Sequence, residues 1–277
     1  MVALSATPPG FAQQSAGPQD GWEFKFKDFL IGAWYGPYAR ESEVQLYKDA
    51  GFNVVMAGRY MNGDRVTITE EMAAAHLDLA QRFGLAAMFD TYVNTSWGRS
   101  SRIHGHHPST LAELQWLQAR FGDHPAIIGF LIGDDQNVIT PRLADCTDFM
   151  RERCPQLMPW ICQNLFTPEA LVGMGNPIAN WQMYPTLYQT HLTAPRQMAV
   201  FSDQLFRLRD DTVYNQLIMW PMFNVVGVGG DSVVRYQVYA SLAYGSQGIW
   251  YFHYKGGLRG NSLRPPLRTY DTASEAN

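Results

Sequence analysis

The chain has little cysteine, no long apolar run and no basic stretch, and each shortage removes a class of protein. Cys146, Cys154 and Cys162 are odd in number and lack metal-ligand spacing, so no disulfide framework is expected and buried thiols are the preferred reading. No stretch approaches the roughly 20 apolar residues needed to cross a bilayer. Met1 to Asp20 has neither the basic start nor the continuous apolar core of a signal peptide. A signal already removed stays open, and a secreted or periplasmic setting is preferred to a cytoplasmic one. A formal charge of -4 without any Lys/Arg-rich run leaves no electrostatic footprint for nucleic acid or an anionic membrane surface. Gly227-Val228-Gly229-Gly230 lacks the Lys-Ser/Thr of a phosphate-binding loop, and no Gly-x-Ser-x-Gly elbow occurs. No cofactor is expected.

What is present is enough apolar material for one large domain: 277 residues, 46% of them hydrophobic. Short β-rich runs recur at Phe29–Gly36, Phe52–Gly58, Leu85–Val93, Ala126–Gly133, Met158–Leu165, Ile178–Tyr184, Leu217–Val226 and Gly248–Tyr254. Helical segments lie between them, one opening at Thr69-Glu70-Glu71 and ending near Phe83-Gly84, another opening at Thr140-Pro141 and ending before Pro155. Eight strand–helix units predict an α/β fold, a single-domain (β/α)8 TIM barrel with right-handed crossovers. Residues 1–21 read as a disordered leader and 22–277 as the barrel. The Gly-, Arg- and Pro-rich tail is short and irregular for an eighth helix.

One run is more telling than the rest. Ile127-Ile128-Gly129-Phe130-Leu131-Ile132-Gly133 ends in Asp134-Asp135-Gln136-Asn137, so a buried strand delivers two acids to a sheet edge. Neighbours on a strand face opposite ways, so both could meet one substrate only if the strand breaks at Gly133. In such barrels the active site lies where strands end. The other residues expected there are Trp34, Tyr35, Arg59, Tyr60, Asp90, Asn94, Trp97, Asn164, Gln182, Tyr184, Trp220, Asn224 and His253, with Asp231 in a Gly-rich loop able to fold over the cleft. Flat rings beside carboxylates, amides and imidazole complement a sugar, which has apolar C–H faces and rims of hydroxyls. About half of these aromatics would serve only as packing.

Three segments resemble glycoside hydrolase-like (β/α)8 proteins related to the clan of β-galactosidases and cellulases. Pro125 to Asp135 is similar to a fourth-strand pattern that often ends Asp-Glu-Pro, with the glutamate as proton donor. Trp181-Gln182-Met183-Tyr184-Pro185 resembles a sixth-strand pattern with Asp two residues before Tyr-Pro. Val234 to Phe252 resembles the seventh helix and eighth strand. The resemblance implies a glycosidase, but the chain departs from the pattern. Asp135 stands for the expected Glu, Gln136 for the Pro, Gln182 for the sixth-strand Asp, and the seventh strand ends Pro221-Met222-Phe223-Asn224 without the usual nucleophile.

The resulting expectation is that Asp135 protonates a glycosidic oxygen while Asp90 acts as nucleophile or positions water, with Asp134 exchangeable for Asp135. Alternatively, Asp134 bonds strand-end amides and Asp135 caps the next segment. A retaining site needs carboxyls about 5 Å apart and an inverting one roughly 6.5–9.5 Å. Failing a second acid, the chain would be a non-catalytic carbohydrate-binding barrel. His104, His106 and His107 suggest a metal, but three imidazoles in one polar loop fit solvated or substrate-touching residues better than a barrel's dispersed ligand set. The expected partner is a carbohydrate, with no nucleic acid, membrane or metal.

Overall fold

A computed structural model describes residues 21–34, 36–57, 69–90, 110–136, 140–164, 167–189, 191–225, 231–252 and 254. Eight parallel strands close into a barrel in sequence order: β1 (Leu30–Ala33), β2 (Val54–Ala57), β3 (Ala86–Asp90), β4 (Ile127–Gln136), β5 (Met158–Gln163), β6 (Ile178–Met183), β7 (Ile218–Asn224) and β8 (Gly248–Phe252). The helices described around it are α1 (Glu41–Asp49), α2 (Glu70–Arg82), α3 (Thr110–Phe121), α4 (Pro141–Arg153), α5 (Pro168–Met174), α6 (Pro185–Tyr188), α7 (Ala194–Asn215) and α8 (Asp231–Ala243). The expected (β/α)8 TIM barrel is the fold observed. Strands β1, β5, β6, β7 and β8 end before the sequence suggests, and the expected ends of β2 and β3 lie outside the described residues. The exception is β4, taken up below. Residues 1–20 of the expected leader and the tail from 255 lie outside the described residues.

The start signals read from the sequence act as physics requires. Thr69 caps α2 by accepting from the Met72 amide at 3.2 Å, and Pro141 opens α4, where a missing N–H is harmless. Before β1, Trp22 is buried and its indole donates to the Gly175 carbonyl at 3.0 Å. The Glu23 and Lys25 amides donate to the Pro155 and Gln156 carbonyls, tying this segment to the turn before β5.

The barrel interior is filled by tryptophan. Trp160 of β5 and Trp250 of β8 stack with centroids 4.1 Å apart, and Trp34 meets Trp160 edge-on at 5.6 Å. Glycines make the room. A Cβ on Gly32 would sit 2.6 Å from the Trp250 ring, one on Gly129 2.4 Å from the Met158 carbonyl, and one on Gly248 3.0 Å from the Trp220 ring. Outside the strands a second apolar layer forms, with Phe89 stacked on Phe121 of α3 at 5.5 Å and Phe223 edge-on to Phe201 of α7.

The seam between β1 and β2 is short, pairing at Gly32 and Val54, and side chains reinforce it. The buried Tyr47 hydroxyl accepts from the Ala33 amide at 2.9 Å and donates to the Val54 carbonyl at 2.7 Å, bridging the two strands. Asn53 likewise accepts from the Ile31 amide and donates to the Phe29 carbonyl. Tyr47→Phe leaves two buried backbone groups without this partner and is expected to lower stability by about 1–3 kcal/mol, read as an earlier urea midpoint. Gly129→Ala forces strand movement and is expected to cost about as much; a midpoint equal to wild type would contradict the close approach.

Candidate active site

Strand β4 corrects the expected break at Gly133. It runs to Gln136 through both aspartates, and its register with β5 shifts between Leu131 and Gly133 and again between Gly133 and Gln136. Two residues of β4 span one step of β5, then three span two. Each extra residue is a bulge that resets the pleat, so the strand re-aims its acids without ending. Asp134 is buried, 8% exposed. The side chain of Asp135 lies outside the described residues.

Asp90 is the last residue of β3 and is 4% exposed. It pairs in register with Leu131 of β4, so Asp90 and Asp134 occupy the carboxyl ends of neighbouring strands. A third carboxyl joins them that sequence reading missed. Glu113, in the first turn of α3, is only 6% exposed. Burial, and then the negative charge of Asp90, push its pKa up from 4.5 to about 7. The signal was present in the sequence: Glu113 occupies one helical column with Leu117 and Phe121, at i, i+4 and i+8. An acid on an inward stripe is a buried acid.

The remaining expected residues divide by position. Asn164 follows β5, and its carbonyl accepts from the Trp181 indole at 2.9 Å. Gln182 of β6 is half-buried and donates to the Cys162 sulfur at 3.2 Å. Tyr184 is buried, donates to the Met222 sulfur at 2.7 Å, and stacks on Phe252 with centroids 5.0 Å apart. Asn224 ends β7 fully buried; its amide donates to the Thr186 hydroxyl at 3.0 Å, and its carbonyl accepts from Gln237 of α8. These residues stand at or just beyond the carboxyl ends of β5, β6 and β7.

Trp34 and Trp220 do not join an open cleft. Trp34 is 4% exposed, its ring against Trp160 and its backbone bonded to Tyr251 and Tyr254. Trp220 is buried against Gly248 and Leu30, level with the first residues of β8 and β1, because β7 continues four residues beyond it. Asp231 is also corrected: it is the first residue of α8 rather than part of a loop, a position where a helix dipole favours an acid. Tyr35, Arg59, Tyr60, Asn94, Trp97 and His253 lie outside the described residues, as do His104, His106 and His107. Among the described residues no group of three His, Cys, Asp or Glu could hold a metal ion. The three cysteines are free and buried, and burial pushes the Cys146 and Cys154 thiols up to about 12, making both poor nucleophiles at neutral pH.

Comparison with known proteins finds the same architecture. A GH5_18 structure from Streptomyces cattleya in complex with GlcNAc superposes with a TM-score of 0.65 at 12% identity, covering 90% of this chain and 80% of that one. An endoglucanase of Pseudomonas stutzeri in complex with cellobiose gives 0.61 at 11%, covering 93% and 94%. A β-glucuronidase from an uncultured Clostridium gives 0.60 at 12%, covering 91% of this chain. The chain shares the (β/α)8-barrel fold of these structures. It spans about half the length of that glucuronidase, 50%. No family model matches the sequence, and no curated protein does.

The Glu113 shift makes a stability prediction for this barrel. Its folded pKa, about 7, lies above the ordinary 4.5. Below pH 4.5 both states hold the proton and nothing is lost; from there to about 7 the unfolded chain releases it first, so stability falls as pH rises. Above 7 the full penalty, on the order of 3 kcal/mol, applies. Glu113→Gln is therefore expected to be more stable than wild type at pH 8 and equal to it at pH 4, measured by urea unfolding. A constant difference across that range would contradict the assignment.

Proposed function

We propose that the protein is a glycoside hydrolase acting on a poly- or oligosaccharide by carboxylate general acid/base chemistry at the carboxyl-terminal face of the barrel. The observation that carries this is the placement of Asp90 and Asp134, both more than nine-tenths buried, at the ends of adjacent strands. General acid and base catalysis requires carboxyls placed where strands end on the substrate face. Asp135 donates the proton to the glycosidic oxygen, with Asp134 beside it to support or replace it. Asp90 attacks as nucleophile or positions the water. Asn164, Gln182, Tyr184 and Asn224 hold hydroxyls along the opposite rim, joined by Tyr35, Arg59, Tyr60, Asn94, Trp97 and His253. The fold neighbours lend support: their names include a glucuronidase, an endoglucanase with cellobiose and a protein with GlcNAc.

A second reading has its own observation. Asn224, without a carboxylate, ends β7 where the resemblance implies a nucleophile, and it is held by Thr186. A barrel of this kind would bind sugar without cutting it.

A glycan panel separates the two, with reducing ends and thermal shift read together. Hydrolysis predicts release that falls by about two to four orders of magnitude in Asp135→Asn, with the fold intact. Equal activity in Asp135→Asn and Asp134→Asn would sink the acid assignment. A thermal shift without release, unchanged in Asp135→Asn, would establish the binding barrel.

A further inference from the structure

A helix packed on a barrel buries one apolar stripe and turns polar residues outward, and two adjacent helices of this chain break that rule. Eight large apolar side chains are more than a third exposed among the described residues, and six of them belong to α7 and α8. Their spacing is regular. Ser202, Phe206 and Val213 of α7 stand at i, i+4 and i+11, one stripe along the helix, and Tyr236, Tyr239 and Leu242 of α8 follow in steps of three. Both helices run back from the carboxyl-end rim between parallel strands, so they lie parallel to each other. The Ser202 and Tyr236 hydroxyls, hydrogen-bonded at 2.5 Å, fix their register. Phe206 then lies one turn beyond that bond on α7, and Tyr239 one turn beyond it on α8. Phe206 is 48% exposed, Tyr239 51% and Val213 64%. The two stripes make one aromatic face on the flank of the barrel.

We infer that this face is where two copies of the chain meet across a twofold axis. Its extent suits a second copy. With 22 residues in α7 and 13 in α8, at 1.5 Å per residue and about 10 Å across, the helices present roughly 500 Å² before any loop joins them. A stable dimer uses ~800 Å² per partner, and aromatic rings are enriched at such interfaces. Charge points the same way. Helix α7 carries three Arg and three Asp, and α8 one of each; Arg207 with Asp203, and Arg209 with Asp210, pair within α7 at 3.1 and 3.3 Å. The face is therefore neutral on a chain whose formal charge is -4. A strongly charged partner finds no field here to recognise, while a second copy, repelled by like charge elsewhere, meets none on this face. A twofold axis through the face also sets each helix antiparallel to its counterpart, so their dipoles oppose favourably. The rim that holds Asp90 and Asp134 lies at the end of the barrel and stays open, so this inference does not rest on the proposed hydrolysis.

The test is sedimentation velocity on the full chain, from low to high micromolar concentration. Wild type is expected to sediment at twice the 31.3 kDa of one chain. Phe206→Glu and Tyr239→Glu each bring like charges into the joined faces and are expected to raise the dimer Kd by about 30-fold or more. Leu46→Glu, at an exposed apolar residue of α1, leaves the dimer intact. All three positions face solvent, and an unchanged far-UV circular dichroism spectrum shows that each variant is folded; where one is not, Val213→Glu takes its place on the same stripe. Wild type that is monomeric at every concentration overturns the inference, whether or not a glycan then binds the exposed rings. A dimer that persists in both Phe206→Glu and Tyr239→Glu overturns it as well, because that dimer uses another face. Equal weakening by Leu46→Glu does the same, since added charge in general would then be the cause.

Discussion

The structure depends on filling a closed barrel. Eight parallel strands leave an interior that must be packed to the density of a solid, because any void loses contacts from every wall. This chain meets the requirement with two stacked tryptophans and a third edge-on, a volume that an eight-stranded barrel could not hold if every strand carried a side chain at that level. Gly32 removes the Cβ that would strike the Trp250 ring, while Gly129 and Gly248 relieve close approaches to Met158 and to Leu30 and Trp220. Closure then aligns all eight strand ends at one rim, and polar groups there inherit a fixed arrangement from an apolar foundation.

The rim is where apolar packing and charge come into conflict. Carboxyls at the ends of β3 and β4 and in the first turn of α3 are drawn into the low-dielectric margin of the core, where the charged form is penalised. For Glu113, whose pKa burial raises to about 7, that penalty disfavours the ionised native state, so this acid works against stability above that pH. Acids so placed are the usual mark of a site that moves protons. On the other side of the rim, Asn224, Gln182 and Tyr184 are engaged by neutral partners, so the rim is asymmetric: acids at β3 and β4, amides and a hydroxyl at β6 and β7.

Much of this was legible in the order of residues. Period-two apolar runs separated by capped helices identify a (β/α)8 barrel because strand and helix each impose their own spacing on whatever is buried. Thr69 and Pro141 mark helix starts for reasons confined to one turn, so they read correctly without any tertiary knowledge. Asp90 and Asp134 were visible as acids at the ends of apolar runs. What misled was position within a strand. Trp220 falls in the first half of the expected run Leu217–Val226, and β7 carries it four residues back from its carboxyl end at Asn224. Asp231 reads as a loop residue because of its glycine neighbours, although it opens a helix.

The sequence by itself determined the fold class and the order of the elements, since these follow from local periodicity and capping. Only the tertiary structure decided which side chains share a space. The bulges of β4 exist because β5 advances at a different step beside it, and sequence spacing along one strand cannot show its neighbour's register. Glu113 is buried only because α3 packs on the barrel, and Phe121 on Phe89 joins that helix to β3 across 32 residues of sequence. Desolvation and Coulomb interaction act through distance in space, and folding alone sets that distance.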